Sequence, residues 1–497
     1  MFSGSTELAK IALRNLARHK VKTVLTVLAV TVSSAFYIFY DSWITGMSME
    51  SRRNIVNYEM GAAKIQTKLY FEKKDELPSY ENFANWEIYK ESLNKAGYYA
   101  APRFVFSGTL YSEGASAPVT FNAVDPIAES QVLRYVPYVE NGRYIKSGAF
   151  ELVVGTVVAK KLNLLDSSGN NNVQISAMID IKAVPEKIRL DKWEGELIPA
   201  LKNEEKELLQ AAYQWEEFMD AYLLKEEVEL DSTKLASILE TMIRIDFSGA
   251  VKHINQLIPA VVVGVVNSPN PVTNFNIAYI PMDVLQGEQG MMLDDRVTEI
   301  LIRDKNANDA ELPGKRESAA AITAVLNLPA ELGVFTWIDY SKDYIGYEKM
   351  EAAATKILTS LFFILALLGI SNTILMSVLE RTKEIGMMRA LGMTDNQLVQ
   401  VYMFEAGFLG LLGSIFGIIL GCAMNYPMVK YGIDFSSMRD AMGANASFRI
   451  SSLFRSSWNV PVIIGTGIVA TLISSLMAFF PARRAIKMPI TDSLRFE

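Results

Sequence analysis

The sequence predicts an α-helical membrane protein with four transmembrane helices and a large mixed α/β extracytoplasmic domain between the first two. Three observations predict it. Two apolar runs, 355–379 and 401–426, flank a short charged stretch, and each is long enough to cross a bilayer. A helix spans the hydrocarbon core in roughly 20 residues, because in lipid its backbone must satisfy itself. Two more such runs lie at 23–46 and 460–481, whereas 47–350 holds none. Lysine and arginine collect before the first run, between the second and third, and in the tail. The positive-inside rule then puts both termini and the charged stretch in the cytoplasm, and the large domain outside.

Composition narrows the classes. Of 497 residues, 48 are basic and 55 acidic, a net charge of −7 that calls for no nucleic-acid partner. Half the residues are hydrophobic, concentrated in the four runs. Cys422 is the single cysteine, so no intrachain disulfide forms. His19 and His253 are the only histidines and are far apart in sequence, against a histidine-based metal centre. No G-x-x-x-x-G-K-[ST] occurs, so the chain offers no loop to cradle ATP phosphates, and no catalytic residue or cofactor is expected in it.

Residues 1–22 read as a basic amphipathic entry helix. Leu8, Ile11, Ala12 and Leu16 share one face, and Lys10, Arg14 and Arg18 another. A cleaved signal peptide is the rival reading. The following apolar run is longer than a usual signal core, which favours a retained anchor. Within the outer domain, β-branched and aromatic stretches such as 64–71, 104–112, 118–125, 151–155, 172–181, 259–268, 276–282 and 298–304 read as strands. Segments 82–96 and 157–164 read as helices.

From about 183 to 255 the chain is helical in pattern and charge-rich. Leu201, Leu208, Ala212, Trp215, Met219 and Tyr222 recur at three- and four-residue spacing, and a second helix starts at Ser232 with Asp231 as its cap. This segment is either a helical hairpin that holds a partner or a decoration packed on its own domain.

The charged stretch 380–400 has helical periodicity, and its Arg381 and Glu384 form an i,i+3 pair. It either closes a turn or offers a surface to a cytoplasmic partner. In the third span, Gly413, Gly417 and Gly421 repeat every four residues, which suits close helix approach. An outer loop, 427–459, precedes the fourth span, and 482–497 is a basic tail.

The run from Asn372 to Gly392, N-T-x-L-M-S-V-x-E-R-x-x-E-I-G-x-x-R-A-L-G, followed by a glycine-rich span, resembles the ABC transporter permeases that include FtsX, MacB and the lipoprotein-releasing (Lol) permeases. The outer domain resembles the LolC/LolE-like members most. G-A-A-K-I-Q-T-K-L-Y-F-E-K (61–73), A-P-R-F-x-F-S-G-T-L-Y-S-x-G-x-S-A-P-V-T-F-x-A-V-D-P (101–126) and V-V-G-V-V-N-S-P-N-P-x-x-N-x-x-I-A-Y-I-P-M-D-V-L-Q (262–286) carry this. Ala62 stands where those relatives have histidine. The insertion 183–255 has no counterpart in the resemblance.

The resemblance implies a MacB-like periplasmic domain and a multi-pass bacterial inner-membrane location. It also implies a coupling helix that docks on a separate, homodimeric ATPase carrying ATP and Mg. Glu380, Arg381, Glu384, Ile385, Met388, Arg389, Leu391 and Gly392 would form that contact and its frame. A second permease copy or paralogue is expected, since four helices are too few to enclose a channel. Phe36, Tyr37, Phe39 and Tyr40, with Phe362 and Phe363, would line a cavity for lipid or substrate; their other reading is lipid contact or the interfacial aromatic belt. The implied work is mechanotransmission: extraction of a lipoprotein from the membrane and its transfer to a periplasmic carrier. Export of peptides or amphiphiles in the manner of MacB, and FtsX-like control of an envelope hydrolase, are the alternatives.

Overall fold

The computed structural model describes residues 5–18, 20–164, 171–225, 232–286, 296–380, 382–434 and 453–486. The chain divides into two compact units. One is built from Met1–Arg52, Ser341–Gly443 and Ile450–Glu497, and the other centres on Arg53–Tyr340.

The first unit is helical. Its elements are α1 (Ser5–Arg18), α2 (Lys20–Asn54), α3 (Lys342–Glu380), α4 (Thr382–Ala390), α5 (Asp395–Lys430), α6 (Val460–Met477) and α7 (Phe479–Ile486). Among the described residues, Thr23–Met60, Asp395–Lys430 and Val460–Arg484 are long and apolar enough to cross a membrane. The fourth long helix, α3, has 39 residues and contains the apolar run expected as the second span.

The packing is inverted relative to a water-soluble bundle. Large apolar side chains point outward: Leu25 and Val32 on α2, Leu361 and Leu365 on α3, Phe416 and Ile419 on α5, Ile464 and Leu472 on α6. Small and hydroxylated residues are buried between the helices, Ser34 and Ala35 on α2, Ser414 on α5, Thr466, Ala470 and Ser474 on α6, beside a few larger ones such as Ile38, Ile370 and Leu409. In lipid no hydrophobic force separates the helices from their surroundings, so close backbone approach and interhelical hydrogen bonds hold them together. Thr26 Oγ1 donates to Thr373 Oγ1 (2.9 Å), linking α2 to α3, and Ser475 Oγ donates to the Met403 carbonyl (3.0 Å), linking α6 to α5.

The amphipathic entry helix buries its apolar face against protein. Leu8, Ala12 and Leu16 are buried in one cluster with Ile385, Met393, Leu398, Val401 and Tyr402. Its apolar stripe is covered by protein.

The second unit is built on a ten-stranded sheet. Its strands are β1 (Ala63–Thr67), β2 (Tyr98–Ser112), β3 (Ala115–Val124), β4 (Val139–Glu140), β5 (Glu151–Gly155), β6 (Asn172–Lys182), β7 (Val251–Val266), β8 (Ile277–Pro281), β9 (Glu299–Asp304) and β10 (Leu332–Thr336). Six of them close a ring. β2 pairs with β3, β3 with β8, β8 with β5, β5 with β7, β7 with β6, and β6 returns to β2. Closure removes the free edges that an open sheet would expose. From β2 the sheet also continues through β9 and β1 to β10. Alternation fills one face with Ile65, Phe104, Phe106, Phe121, Ile280 and Ile300.

Two stretches differ from the sequence reading. The first strand stops at Thr67, whose hydroxyl accepts the Tyr70 amide (3.0 Å) and starts the short helix Lys68–Glu72; 68–71 are therefore not strand. In the insertion, the helix through Leu208 and Ala212 ends at Ala212. Trp215 and Tyr222 lie opposite each other on paired strands, Tyr213–Glu216 and Ala221–Leu224, which turn through Asp220 in the left-handed region (φ 47°). The segment is a small α/β body with its own core, including Trp193, Leu197, Leu209, Tyr213, Ile238 and Met242, rather than a helical hairpin. Helix Ser232–Arg244 is present, and its expected cap Asp231 lies outside the described residues.

Candidate functional site

The charged stretch between α3 and α5 is divided more finely than a single 380–400 helix. Helix α4 occupies Thr382–Ala390, and α5 begins at Asp395, six residues before the expected span. Gly392 sets this division. Its φ of +94° ends α4, with the Gly392 amide donating to the Arg389 carbonyl (3.1 Å) and the Met393 amide to the Met388 carbonyl (3.0 Å). This is the two-bond glycine stop of helix C-termini, and Met393 and Met388 lie in one apolar cluster beside it. Thr394 then caps α5. Its amide donates to Gln397 Oε1 (2.9 Å), and the Gln397 amide donates to Thr394 Oγ1 (3.4 Å). Arg389 closes the turn with an ion pair to Asp395 (3.2 Å).

Helix α4 has two faces. Thr382, Ile385 and Gly386 are buried, with Ile385 only 3% exposed. Lys383, Met387, Ala390 and Leu391 face outward at spacings of four, three and one; Leu391 is 77% exposed and Met387 49%. The coupling residues expected from sequence therefore separate. Glu380, Leu391 and Gly392 are exposed, and Glu384 is half-exposed. Ile385 is buried, while Met388 and Arg389 are half-buried and belong to the frame. Arg381 lies outside the described residues. Lys383, Met387 and Ala390 were missing from the expectation, although the 383–387–390–391 period could have found them.

The glycines of α5 form a seam against α2. A Cβ on Gly413 would meet Val30 Cβ at 2.6 Å, one on Gly417 would meet Ser34 Cβ at 2.5 Å, and one on Gly421 would meet the Ala35 carbonyl at 3.1 Å. Thr31 Oγ1 donates to the Gly413 carbonyl across the same seam (3.1 Å). Gly410 faces α6 instead, where a Cβ would meet Ser474 Oγ at 2.6 Å.

The aromatic group is partly assembled. Phe36 stacks on Tyr40 (5.7 Å between ring centroids) and packs against Phe362 of α3 (4.6 Å). Phe39 instead contacts Trp43 (6.0 Å). Spacing of 36, 39, 40 and 43 puts these four on one side of α2, with Tyr37 off that stripe. All of Phe36, Tyr37, Phe39, Tyr40 and Phe362 are half-buried, and the Phe363 side chain lies outside the described residues.

Residues 356–490 match the family described as FtsX-like permease C-terminal. An uncharacterized ABC transporter permease of Methanocaldococcus jannaschii is 33% identical over 129 residues, 26% of this chain and 29% of the relative. The macrolide export ATP-binding/permease protein MacB of Chromobacterium violaceum is 27% identical over 250 residues, 48% of this chain and 34% of the relative. The lipoprotein-releasing system transmembrane protein LolC of Neisseria meningitidis is 21% identical over 198 residues, 38% of this chain and 48% of the relative. The chain thus spans less than half the length of each of these three. Among solved structures, the extracellular domain of the ABC-type transporter YknZ from Gram-positive bacteria matches over 55% of this chain and 100% of that chain, at 12% identity and a TM-score of 0.28.

Proposed function

With its FtsX-like C-terminal region and its homology to ABC transporter permeases, we propose that this chain couples ATP hydrolysis on a separate subunit to work outside the membrane. The observation that carries this reading is α4. It is a short helix held between two long apolar helices, with Lys383, Met387, Ala390 and Leu391 turned outward. An exposed Leu391 and Met387 on a fixed helix form the kind of apolar knob that anchors a protein partner.

On this reading α4 is cytoplasmic, both termini lie on its side, and the Arg53–Tyr340 unit lies outside. A nucleotide-driven movement of the ATPase pair displaces α4 and, through α3 and α5, the outer unit. Two permease chains, identical or paralogous, flank the transport axis. Lipoprotein extraction with transfer to a periplasmic carrier is the first assignment of the work, supported by the LolC relative and the outer-domain motifs. Export in the manner of MacB is the second, supported by the MacB relative matching 48% of this chain.

Purification of the chain from its native membrane, with photo-crosslinking from position 387, tests both levels. A P-loop ATPase crosslinked at 387 and acylated proteins in the same complex support the full assignment. The ATPase with a membrane-fusion adaptor and no acylated protein moves it to export. No ATPase crosslink from 387 overturns the coupling role of α4.

A further inference from the structure

The Arg53–Tyr340 unit carries a second built feature, on the face of the sheet opposite its aromatic core. Alternation puts Lys64 and Gln66 (β1), Glu299 (β9), Arg103 and Val105 (β2), Thr120 and Asn122 (β3), and Ile277 and Tyr279 (β8) on that one face. The register aligns them. Glu299 lies opposite Arg103, and Val105, Asn122 and Tyr279 form one cross-strand row. Together they floor a cleft of about 380 Å³, with Phe275 and Tyr340 among its walls. That volume falls in the range of small-molecule pockets.

The charges on the floor cancel. Arg103 makes a forked pair with Glu129, both fully buried. Burial opposes the Arg103 charge, but Glu129 and then Glu299 outweigh it and hold the guanidinium's pKa above its ordinary value. Lys64 donates to Glu299 Oε2 (2.8 Å), and Gln66 Nε2 donates to the same oxygen (2.8 Å). On the floor Arg103 and Lys64 thus face Glu129 and Glu299, and Lys74 and Glu59 add one charge of each sign to the cleft lining, so the charges still cancel.

Three polar groups on this floor offer hydrogen bonds to the cleft, and Glu299 Oε1 is a buried atom without one among the described residues. Glu299 Oε1 is one, in a side chain 2% exposed, with Arg103 Nη1 at 3.5 Å. The Asn122 amide, in a residue 5% exposed, and the Tyr279 hydroxyl, in a residue 1% exposed, are the others. All three line the cleft. Glu299 Oε1, buried without a hydrogen bond, carries a cost of about 1–3 kcal/mol that a donor in the cleft would relieve, and the Asn122 amide and Tyr279 hydroxyl line the same cleft.

Their chemistry selects its class. Glu299 accepts only, whereas the Asn122 amide and the Tyr279 hydroxyl both donate and accept. An ammonium only donates and a carboxylate only accepts, whereas a hydroxyl does both. We infer that this cleft binds a neutral polyhydroxylated ligand, a sugar ring, with its hydroxyls on Glu299, Asn122 and Tyr279 and a flat face toward Phe275. This is a property of the outer unit and does not depend on the coupling role of α4.

Saturation-transfer NMR on the full chain in detergent, with glucose, N-acetylglucosamine and its β-1,4 disaccharide as probes and glycine and phosphoethanolamine as zwitterionic comparators, tests it. The expected result is transfer from at least one sugar and from neither comparator, weakened tenfold or more by Asn122→Leu. Thr120→Val, at a half-buried position on the same floor, is the second variant should the first lower the melting temperature, and it is expected to weaken the same sugar. No transfer from any sugar, transfer from the comparators alone, or sugar binding unchanged in both variants overturns the inference.

Discussion

Gly417 of α5 and Ser34 of α2 stand so close that a methyl group on the glycine would come within 2.5 Å of the serine Cβ. No side chain larger than hydrogen fits without moving one helix. Gly417→Val is therefore expected to part the two helices and to cost about 1–3 kcal/mol, as overpacking does. A melting curve of the detergent-solubilised chain reads this as a lowered midpoint. Gly465, around which an added Cβ would meet nothing within 4 Å, takes alanine with no such loss.

Helix α4 separates stability from coupling. Ile385→Ala removes a buried side chain and should cost about 2–5 kcal/mol. Leu391→Ala, at an exposed position, should stay within about 0.5 kcal/mol of the parent. The order is expected to reverse in an assay of permease-stimulated ATPase activity on the reconstituted complex, with Leu391→Asp the more damaging change. An unaffected ATPase in Leu391→Asp would remove α4's outer face from the contact.

Gly392 holds the left-handed conformation that stops α4. Gly392→Ala should destabilise by about 1–2 kcal/mol, the cost of that conformation for a residue with a Cβ. Gly392→Asn should cost less, because asparagine tolerates it better. Equal melting temperatures for the two variants would argue against the glycine stop.

In the Arg53–Tyr340 unit, Arg103 and Glu129 are mutually dependent. Arg103→Met alone leaves the Glu129 carboxylate buried without its cation, a loss of about 3–5 kcal/mol. The pair Arg103→Met with Glu129→Leu should recover much of it, since an apolar replacement of a whole buried pair is often neutral. Chemical denaturation of parent, single and double variants gives the coupling, and additive losses would contradict it.

Asp125 gives the Arg53–Tyr340 unit an acid-sensitive anchor. Its carboxylate caps the helix Pro126–Val132 by accepting the amides of Ile127 and Ala128 (3.0 and 3.1 Å), and it pairs with Lys90 (2.9 Å). Burial favours the neutral acid, but the Lys90 hydrogen bond and the two amides outweigh it and hold the pKa below the ordinary carboxylate value. A depressed pKa means that the folded state favours the ionised form. The stabilisation is complete above the ordinary value of about 3.9 and is lost as pH falls through the folded value. Melting temperature recorded from pH 6 down to pH 3 should fall more steeply below about pH 4 in the parent than in Asp125→Asn, and parallel curves would exclude this residue.

The sequence was most informative where one physical rule acts alone. Apolar length marks the spans at α2, α5 and α6, and four-residue spacing marks the Gly413–Gly417–Gly421 seam. It was least informative where two rules compete. Leu208, Ala212, Trp215, Met219 and Tyr222 keep a helical period, yet Tyr213 and Trp215 also open an alternating strand, and pairing across the Asp220 turn decides in favour of the strand. Likewise the β-rich reading of 64–71 had no means of weighing Thr67 as a helix cap. The cleft was not legible at all. Glu299 and Arg103 are distant in sequence and become neighbours only through the β2–β9 register.

Between α4 and α5 lie only Leu391, Gly392, Met393 and Thr394, each fixed by the glycine stop or the cap. A joint so short contains no slack. A 36-residue helix measures about 54 Å at 1.5 Å per residue. Tilting such a rod by even about 5° at its fixed end swings its far end by about 5 Å, nearly one helical turn. The four-residue joint makes α5 a lever, and small angular changes at Thr394 are magnified along its length.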